Sequence, residues 1–337
     1  MNSLPAPSSP PRRLIVGCGY LGERLAGRWL AGGSQVWGVV RTPTRVTRLA
    51  SAGVEAIIAD VASAVPLPPL PEVDTVVWSV GFDRTAAQGY SDVHVGGLGR
   101  LLAALPGRPR VILISSTGVW GRVDGQVVDE ATPPHPDREA GRVLLEAEAL
   151  LFGHRLGPGT ALRLAGIYGP GRLPRVDDLR AGAALTADPD SWLNLIHVDD
   201  AAAVVMAVAD HASPGPLYVV SDGHPVRRRD FYARLASLTA SPPPRWTPPP
   251  PTPAAVTSRS ILAECSPRSA RCWPTPTPSA PSPESPVCSS PARTPPDRST
   301  RRRALHEPLA PILPPRRGGA PGSPLPPFAC RRRRAAL

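Results

Sequence analysis

Residues 14–22 constrain the fold more than any other stretch, because Leu14, Ile15 and Val16 run directly into Gly17-Cys18-Gly19-Tyr20-Leu21-Gly22. A short apolar run that ends in glycines reads as a buried strand. After it, Leu21, Leu25, Trp29 and Leu30 recur at helical spacing until Gly32-Gly33 stops the helix. In a strand–loop–helix unit of this kind the first glycine permits the tight turn and the second lets backbone approach a pyrophosphate. The third lets the helix pack closely on the strand, while the helix N-terminus supplies partial positive charge. A lone glycine motif can also be a merely structural turn. Placed directly after a strand and opening a helix, Gly17, Gly19, Tyr20, Leu21 and Gly22 are expected to hold a nicotinamide dinucleotide.

The rest of the first half repeats the same unit. Strand-like runs follow at 36–40, 54–59, 75–78, 111–114 and 161–164, with helical patterns at 46–52, 98–105 and 138–152 between several of them. Strands alternating with helices imply an α/β fold: a doubly wound parallel sheet, right-handed crossovers and helices on both faces, the Rossmann arrangement. Residues 1–11 are expected to be a flexible start and 12–165 the dinucleotide-binding domain. A more irregular lobe at 166–240 carries a helix at 199–209, a strand at 217–220 and a helix at 229–238.

Composition matters chiefly from residue 241 onward, where 26 of 97 residues are proline and most others are Ser, Arg or Ala. Such a segment buries too little apolar surface to offset the entropy of ordering, so 241–337 is expected to be a disordered, basic, low-complexity tail behind a small, incomplete C-terminal lobe. The net charge of +11 resides there, since residues 1–240 balance 23 arginines against 23 acids. The tail is therefore the only argument for a nucleic-acid partner, and the folded part offers none. Two origins for it stay open: a genuine proline- and arginine-rich extension, or a GC-rich gene read out of frame. We favour the second, because a folded domain stops mid-architecture.

All 38 basic residues are arginine, so no step that needs a lysine amine can operate in this chain. Cys18 lies in the glycine loop, whereas Cys265, Cys272, Cys288 and Cys330 are scattered in the tail without metal-ligand spacing. Neither a zinc site nor a disulfide framework is expected. With no signal region and no apolar run near 18 residues, the expectation is a cytoplasmic protein with no membrane partner.

The end of the second strand ordinarily reads the cofactor's ribose. An acid there suits the hydroxyls of NAD, and an arginine suits the 2′-phosphate of NADP. Here the strand ends in Val40-Arg41, followed by Thr42 and Arg45, with no acid nearby in sequence. The expectation is NADP, with NAD as the alternative and Arg41 as an ordinary surface arginine in the latter case. Asp60, after the third strand, is expected either to contact the adenine edge or to cap the next turn.

Further motifs stand in one order along the chain. They are Gly17–Gly22, the run Ile114-Ser115-Ser116-Thr117-Gly118-Val119-Trp120-Gly121, Asp129-Glu130, Arg163–Pro170, and Asn194-Leu195-Ile196-His197-Val198-Asp199-Asp200. In this order and over about residues 13–238 the chain resembles the NAD-dependent epimerase/dehydratases, extended or atypical short-chain dehydrogenases/reductases. The resemblance implies hydride transfer on a small-molecule substrate such as a nucleotide sugar, and it admits a homodimer. It places Ser116, with Thr117 adjacent, where a hydroxyl after the fifth strand bonds the substrate. It makes Tyr168 positional, and the cluster of His197, Asp199 and Asp200 a mostly architectural link.

The resemblance fails at the acid/base. The family uses a tyrosine and a lysine four residues apart on one helix. Aligning Glu148 with the family's helical glutamate puts Ala140 and Leu144 at those positions, and shifting by two residues puts Arg138 and Arg142 there. An arginine stays protonated and is a poor base. His94 lies near a position where the family often has asparagine, and His135 lies in a proline-rich loop, but isolated histidines are more often packed or exposed residues. Both an enzyme with a different proton path and a catalytically silent cofactor-binding module remain open.

Overall fold

The computed structural model describes residues 9–121, 125–157 and 159–249, together with the backbone of 335–336. The disorder expected of the tail therefore concerns residues that for the most part lie outside the described ones. Seven strands form one parallel sheet: β1 (Arg12–Val16), β2 (Gln35–Val40), β3 (Glu55–Ile58), β4 (Thr75–Trp78), β5 (Arg110–Ser116), β7 (Thr160–Leu164) and β12 (Leu217–Val220). Their spatial order is β12-β7-β5-β4-β1-β2-β3, and every neighbouring pair is parallel.

The chain thus builds outward from β1 to β3, returns to β4, and builds outward in the other direction. A crevice opens where strand order reverses, beyond the carboxyl ends of β1 and β4. The sheet is buried on both faces, which is why its strands read as unbroken apolar runs. Ile15, Val77, Ile112 and Leu162 point to one side, toward Leu21, Leu25 and Trp29 of α1 (Tyr20–Ala31) and Val198, Ala202 and Val205 of α6 (Val198–Asp210). Leu14, Val16, Val76, Trp78 and Leu113 point to the other side. They meet Leu98, Leu101 and Leu102 of α3 (Leu98–Ala104) and Ala147 and Leu151 of α4 (Glu139–Phe152). Neighbours in sequence alternate between the two faces, as the two-residue repeat of a strand requires. Each fully buried Leu or Ile stabilises by about 1.5–3 kcal/mol, so these two layers carry the fold.

Helix α2 (Pro43–Ser51) begins with proline at its first turn, where the missing N–H has no intrahelical partner to lose. Before α3 the chain makes a π-helical turn at Asp92–Gly97. The short strand β6 (Val127–Val128) pairs antiparallel with β15 (Ala335–Ala336).

Beyond the sheet the lobe is more regular than its composition implies. The strands β8 (Gly166–Tyr168) and β11 (Leu195–His197) pair in parallel, and β10 (Trp192–Leu193) pairs antiparallel with β13 (Val226–Arg227). Helices α5 (Val176–Arg180) and α7 (Arg228–Leu238) enclose a small core of Leu179, Leu185, Tyr232 and Leu235. The strand β9 (Ala184–Thr186) pairs in parallel with β14 (Arg245–Thr247), whose Trp246 packs edge-on against Tyr232 at 5.8 Å. Ordered structure therefore runs past the composition break at 241, because one tryptophan supplies the apolar anchor that the prolines lack. Among the described residues no helix is long and apolar enough to cross a membrane.

Candidate functional site

The glycine loop lies at the crevice. Gly17 has φ +80°, and a Cβ built there would lie 2.6 Å from Cα and 2.7 Å from N of Val80, backbone that cannot step aside. The loop and the end of β4 touch main chain to main chain, and the Ser79 hydroxyl donates to the Gly17 carbonyl at 3.0 Å. At Gly22 a Cβ would come within 2.9 Å of Ile15 Cγ2, so this glycine brings α1 onto β1. Gly19 differs: the nearest atoms to a Cβ there are Arg45 Nη1 at 3.7 Å and the Gly17 carbonyl oxygen at 3.9 Å, ordinary contact distances. Helix α1 has no side-chain cap, and its first backbone bond runs from Glu23 N–H to the Gly19 carbonyl at 2.8 Å. The amides of Tyr20, Leu21 and Gly22 therefore have no intrahelical acceptor.

A cavity of about 620 Å³ lies over this loop. Its walls include Gly17, Gly19, Tyr20, Leu21, Arg41 and Asp60. Bare backbone, unpartnered amides and flanking arginines fit a bound dinucleotide phosphate. Asp60 lines the cavity and accepts the Ala62 N–H at 2.9 Å, which caps the turn after β3. Arg45 leans over the loop, with Nη1 3.3 Å from the Cys18 carbonyl and 3.3 Å from Glu23 Oε1. Burial, and next the Glu23 carboxylate, push the Cys18 thiol up to about 12, so the thiol inside the loop is inert.

Sequence reasoning left Arg41 without an acid in reach, and the fold supplies one. Asp83, in the loop after β4, accepts from Arg41 Nη2 at 3.0 Å and lines the same cavity. The strand between β2 and β4 is β1, so this ion pair crosses above the glycine loop. No local motif announces Asp83. The available signal was its position just beyond the carboxyl end of a parallel strand.

On the other side of the crevice Ser116 ends β5, and its hydroxyl oxygen accepts the Gly118 N–H at 3.1 Å, opening the 3-10 turn Thr117–Trp120. Thr117 is buried. Within the cavity wall β5 contributes Ile114. Behind Ser116, the neighbouring Ser115 hydroxyl donates to Glu148 Oε1 at 2.6 Å. Glu148 also receives Arg163 Nε at 3.1 Å and Nη2 at 2.7 Å, with side-chain exposures of 3 % and 6 %. The Arg163 guanidinium lies 4.7 Å from the centre of the Trp120 ring. Glu148 lies on the buried side of α4. Gly141 and Leu144 share its inward side, while Arg138 and Arg142 are exposed.

The remaining candidates separate cleanly. His94 is buried inside the π-helical turn, with neither ring nitrogen hydrogen-bonded, and burial pulls its pKa from 6.5 down to about 4. It stacks on Tyr90 at 4.3 Å, and Tyr90 packs against Phe82 at 5.0 Å. His135 is exposed. His197 Nδ1 accepts the Asp199 N–H at 3.3 Å and caps α6, and its ring meets Tyr168 edge-on at 5.3 Å. These contacts fit the architectural reading of that cluster. Among the described residues no group of three metal-binding side chains converges.

The family model of the NAD dependent epimerase/dehydratase family matches residues 14–221. The chain belongs to this family. Protein YeeZ of Escherichia coli K12 is 34 % identical over 244 residues, covering 69 % of this chain and 85 % of its own. A Methylobacillus flagellatus protein classed among the NAD-dependent epimerase/dehydratases superposes with a TM-score of 0.55 at 36 % identity, covering 72 % of this chain and 86 % of that one. MoeE5, in complex with UDP-glucuronic acid and NAD, shares the fold at a TM-score of 0.60 and 24 % identity, covering 71 % and 86 %. Helix α4 contains neither tyrosine nor lysine; Ala140 is half-buried, Leu144 is buried, and Arg138 and Arg142 are exposed.

Proposed function

We propose that this chain binds a nicotinamide dinucleotide, NADP(H) ahead of NAD(H), across the ends of β1 and β4, and uses it for hydride transfer. The substrate class is a small alcohol or carbonyl compound of the nucleotide-sugar type. The carrying observation is the glycine loop at the cavity: Gly17 admits no side chain, Gly19 lines the cavity wall, and the first amides of α1 have no intrahelical acceptor. In this reading residues 12–165 hold the dinucleotide and 166–240 complete the substrate side. Arg41 faces the 2′-phosphate, and Asp60 lies at the adenine end. Bound there, the nicotinamide supplies a hydride donor or acceptor. The Ser116 lone pair is engaged by Gly118, so its hydroxyl hydrogen remains for a substrate oxygen, with Thr117 behind it. Proton exchange falls to water or another side chain, because α4 carries no tyrosine or lysine.

One observation favours a second reading. Leu144 packs with Val119 and Trp120 in a buried apolar cluster, so this side of α4 presents hydrocarbon rather than an ionisable group. A cofactor-binding module without catalysis fits that packing. Equilibrium titration of the chain with NADPH and NADH, followed by nicotinamide fluorescence, tests both readings. MoeE5 is described with UDP-glucuronic acid and NAD, which motivates nucleotide-sugar probes. Tight NADPH binding with oxidation by a nucleotide-sugar ketone supports the oxidoreductase. Binding without oxidation by any such probe supports the silent module. A folded chain that binds neither cofactor refutes both.

A further inference from the structure

The ion pair over the glycine loop bears on cofactor choice. Arg41 follows β2 and Asp83 follows β4, so the pair spans the mouth of the crevice on the side where the ribose end of a dinucleotide belongs. Both side chains line the cavity and both stay partly open, 45 % and 39 % exposed. Asp83 is held in place independently of Arg41. Its Oδ1 accepts the Thr85 N–H at 3.0 Å and the Thr85 hydroxyl at 2.7 Å, which leaves Oδ2 for the guanidinium at 3.0 Å. The carboxylate is therefore a fixed negative charge aimed at the residue expected to receive a phosphate.

Resting on the cofactor reading above, we propose that Asp83 is a specificity-determining residue that competes with a 2′-phosphate for Arg41 and weakens discrimination between NADPH and NADH. The argument is one of charge. A 2′-phosphate brought to Arg41 also approaches the Asp83 carboxylate, and like charges held close together repel. A ribose bearing hydroxyls meets no such penalty, since a carboxylate can accept from a hydroxyl. The Arg41–Asp83 bond is an exposed one, of the kind worth little. The phosphate can therefore displace it, but must do so against a carboxylate that Thr85 keeps nearby. The hydrogen bonds to Thr85 and Arg41 hold the Asp83 carboxyl down at about 2, so the charge persists across the physiological range.

The experiment is a double-mutant cycle on the full chain, with Kd for NADPH and NADH measured by nicotinamide fluorescence. Asp83→Asn keeps the size and the acceptor oxygen for Thr85, removes the charge and turns an NH2 toward Arg41, so the ion pair is lost. It is expected to tighten NADPH by about tenfold and to leave NADH unchanged or weaker. In an Arg41→Met background the gain for NADPH should shrink, because the two residues act on one phosphate. Equal changes for both cofactors, no change for either, or a full-sized gain without Arg41 would each overturn the proposal while leaving cofactor binding intact. If the folded wild type and variants bind neither cofactor, the dinucleotide reading falls and this inference falls with it.

Discussion

Glu148 is the residue whose loss should be felt most far from the cofactor cavity. It sits on the inward side of α4 with 3 % of its side chain exposed, and it takes two hydrogen bonds from Arg163 and one from Ser115. Glu148→Leu would leave the Arg163 guanidinium, 6 % exposed, without its counter-charge. Breaking a buried pair by removing one partner costs about 3–5 kcal/mol. The Ser115 hydroxyl also loses its acceptor, worth about 1 kcal/mol more. At roughly 2–4 °C per kcal/mol for a domain of this size, the midpoint of thermal unfolding should fall by about 8–24 °C. Adding Arg163→Met removes the stranded charge and should recover most of the loss. The remaining deficit, about 1.5–3 kcal/mol, combines the lost contact between Arg163 and the Trp120 ring with the Ser115 hydroxyl still lacking its acceptor. Urea unfolding of the three proteins, followed by tryptophan fluorescence, gives the comparison. A Glu148→Leu protein within 1 kcal/mol of wild type, or a double variant no better than the single one, would show that the pair is not held in a desolvated site and would refute the reasoning.

Two other outcomes follow from geometry and titration. Gly17→Ala puts a Cβ against the Val80 backbone at 2.6 Å and an L-residue at φ +80°; it should destabilise by at least about 2 kcal/mol and abolish dinucleotide binding, as read by the same urea and fluorescence titrations. His94 is neutral when folded, because burial moves its pKa from 6.5 down to about 4. As pH falls through that interval the unfolded chain takes up a proton that the folded chain refuses, so stability declines, by about 3 kcal/mol for this one group. His94→Phe should flatten the stability profile between pH 6.5 and 4 relative to wild type, and profiles that run parallel would sink the assignment.

Much of the fold was legible because its signals are local. The glycine loop, the unbroken apolar strands and the helical spacing of Leu21, Leu25 and Trp29 each lie within a dozen residues of chain, and β1, β4 and α1 form where they imply. The second lobe was harder to read, because β8, β10 and β13 are two or three residues long and are defined only by partners distant in sequence. Trp246 looked like part of a proline-rich tail, and its packing on Tyr232 joins it to the small core of that lobe.

The same division runs through the candidate site. The order of the motifs was enough to establish the family, and the absence of lysine was enough to exclude its usual acid/base pair, since both are properties of the chain alone. Which side of α4 faces inward is a matter of packing, with Glu148 buried against Arg163, fifteen positions away on β7. Arg41 could be recognised at the end of its strand, yet its partner Asp83 lies 42 residues further on and was invisible to any local pattern. A parallel sheet brings the carboxyl ends of strands from distant parts of the chain to one edge. Composition and spacing name the residues that arrive there, but only the strand order β2-β1-β4 determines that Arg41 and Asp83 meet above the glycine loop.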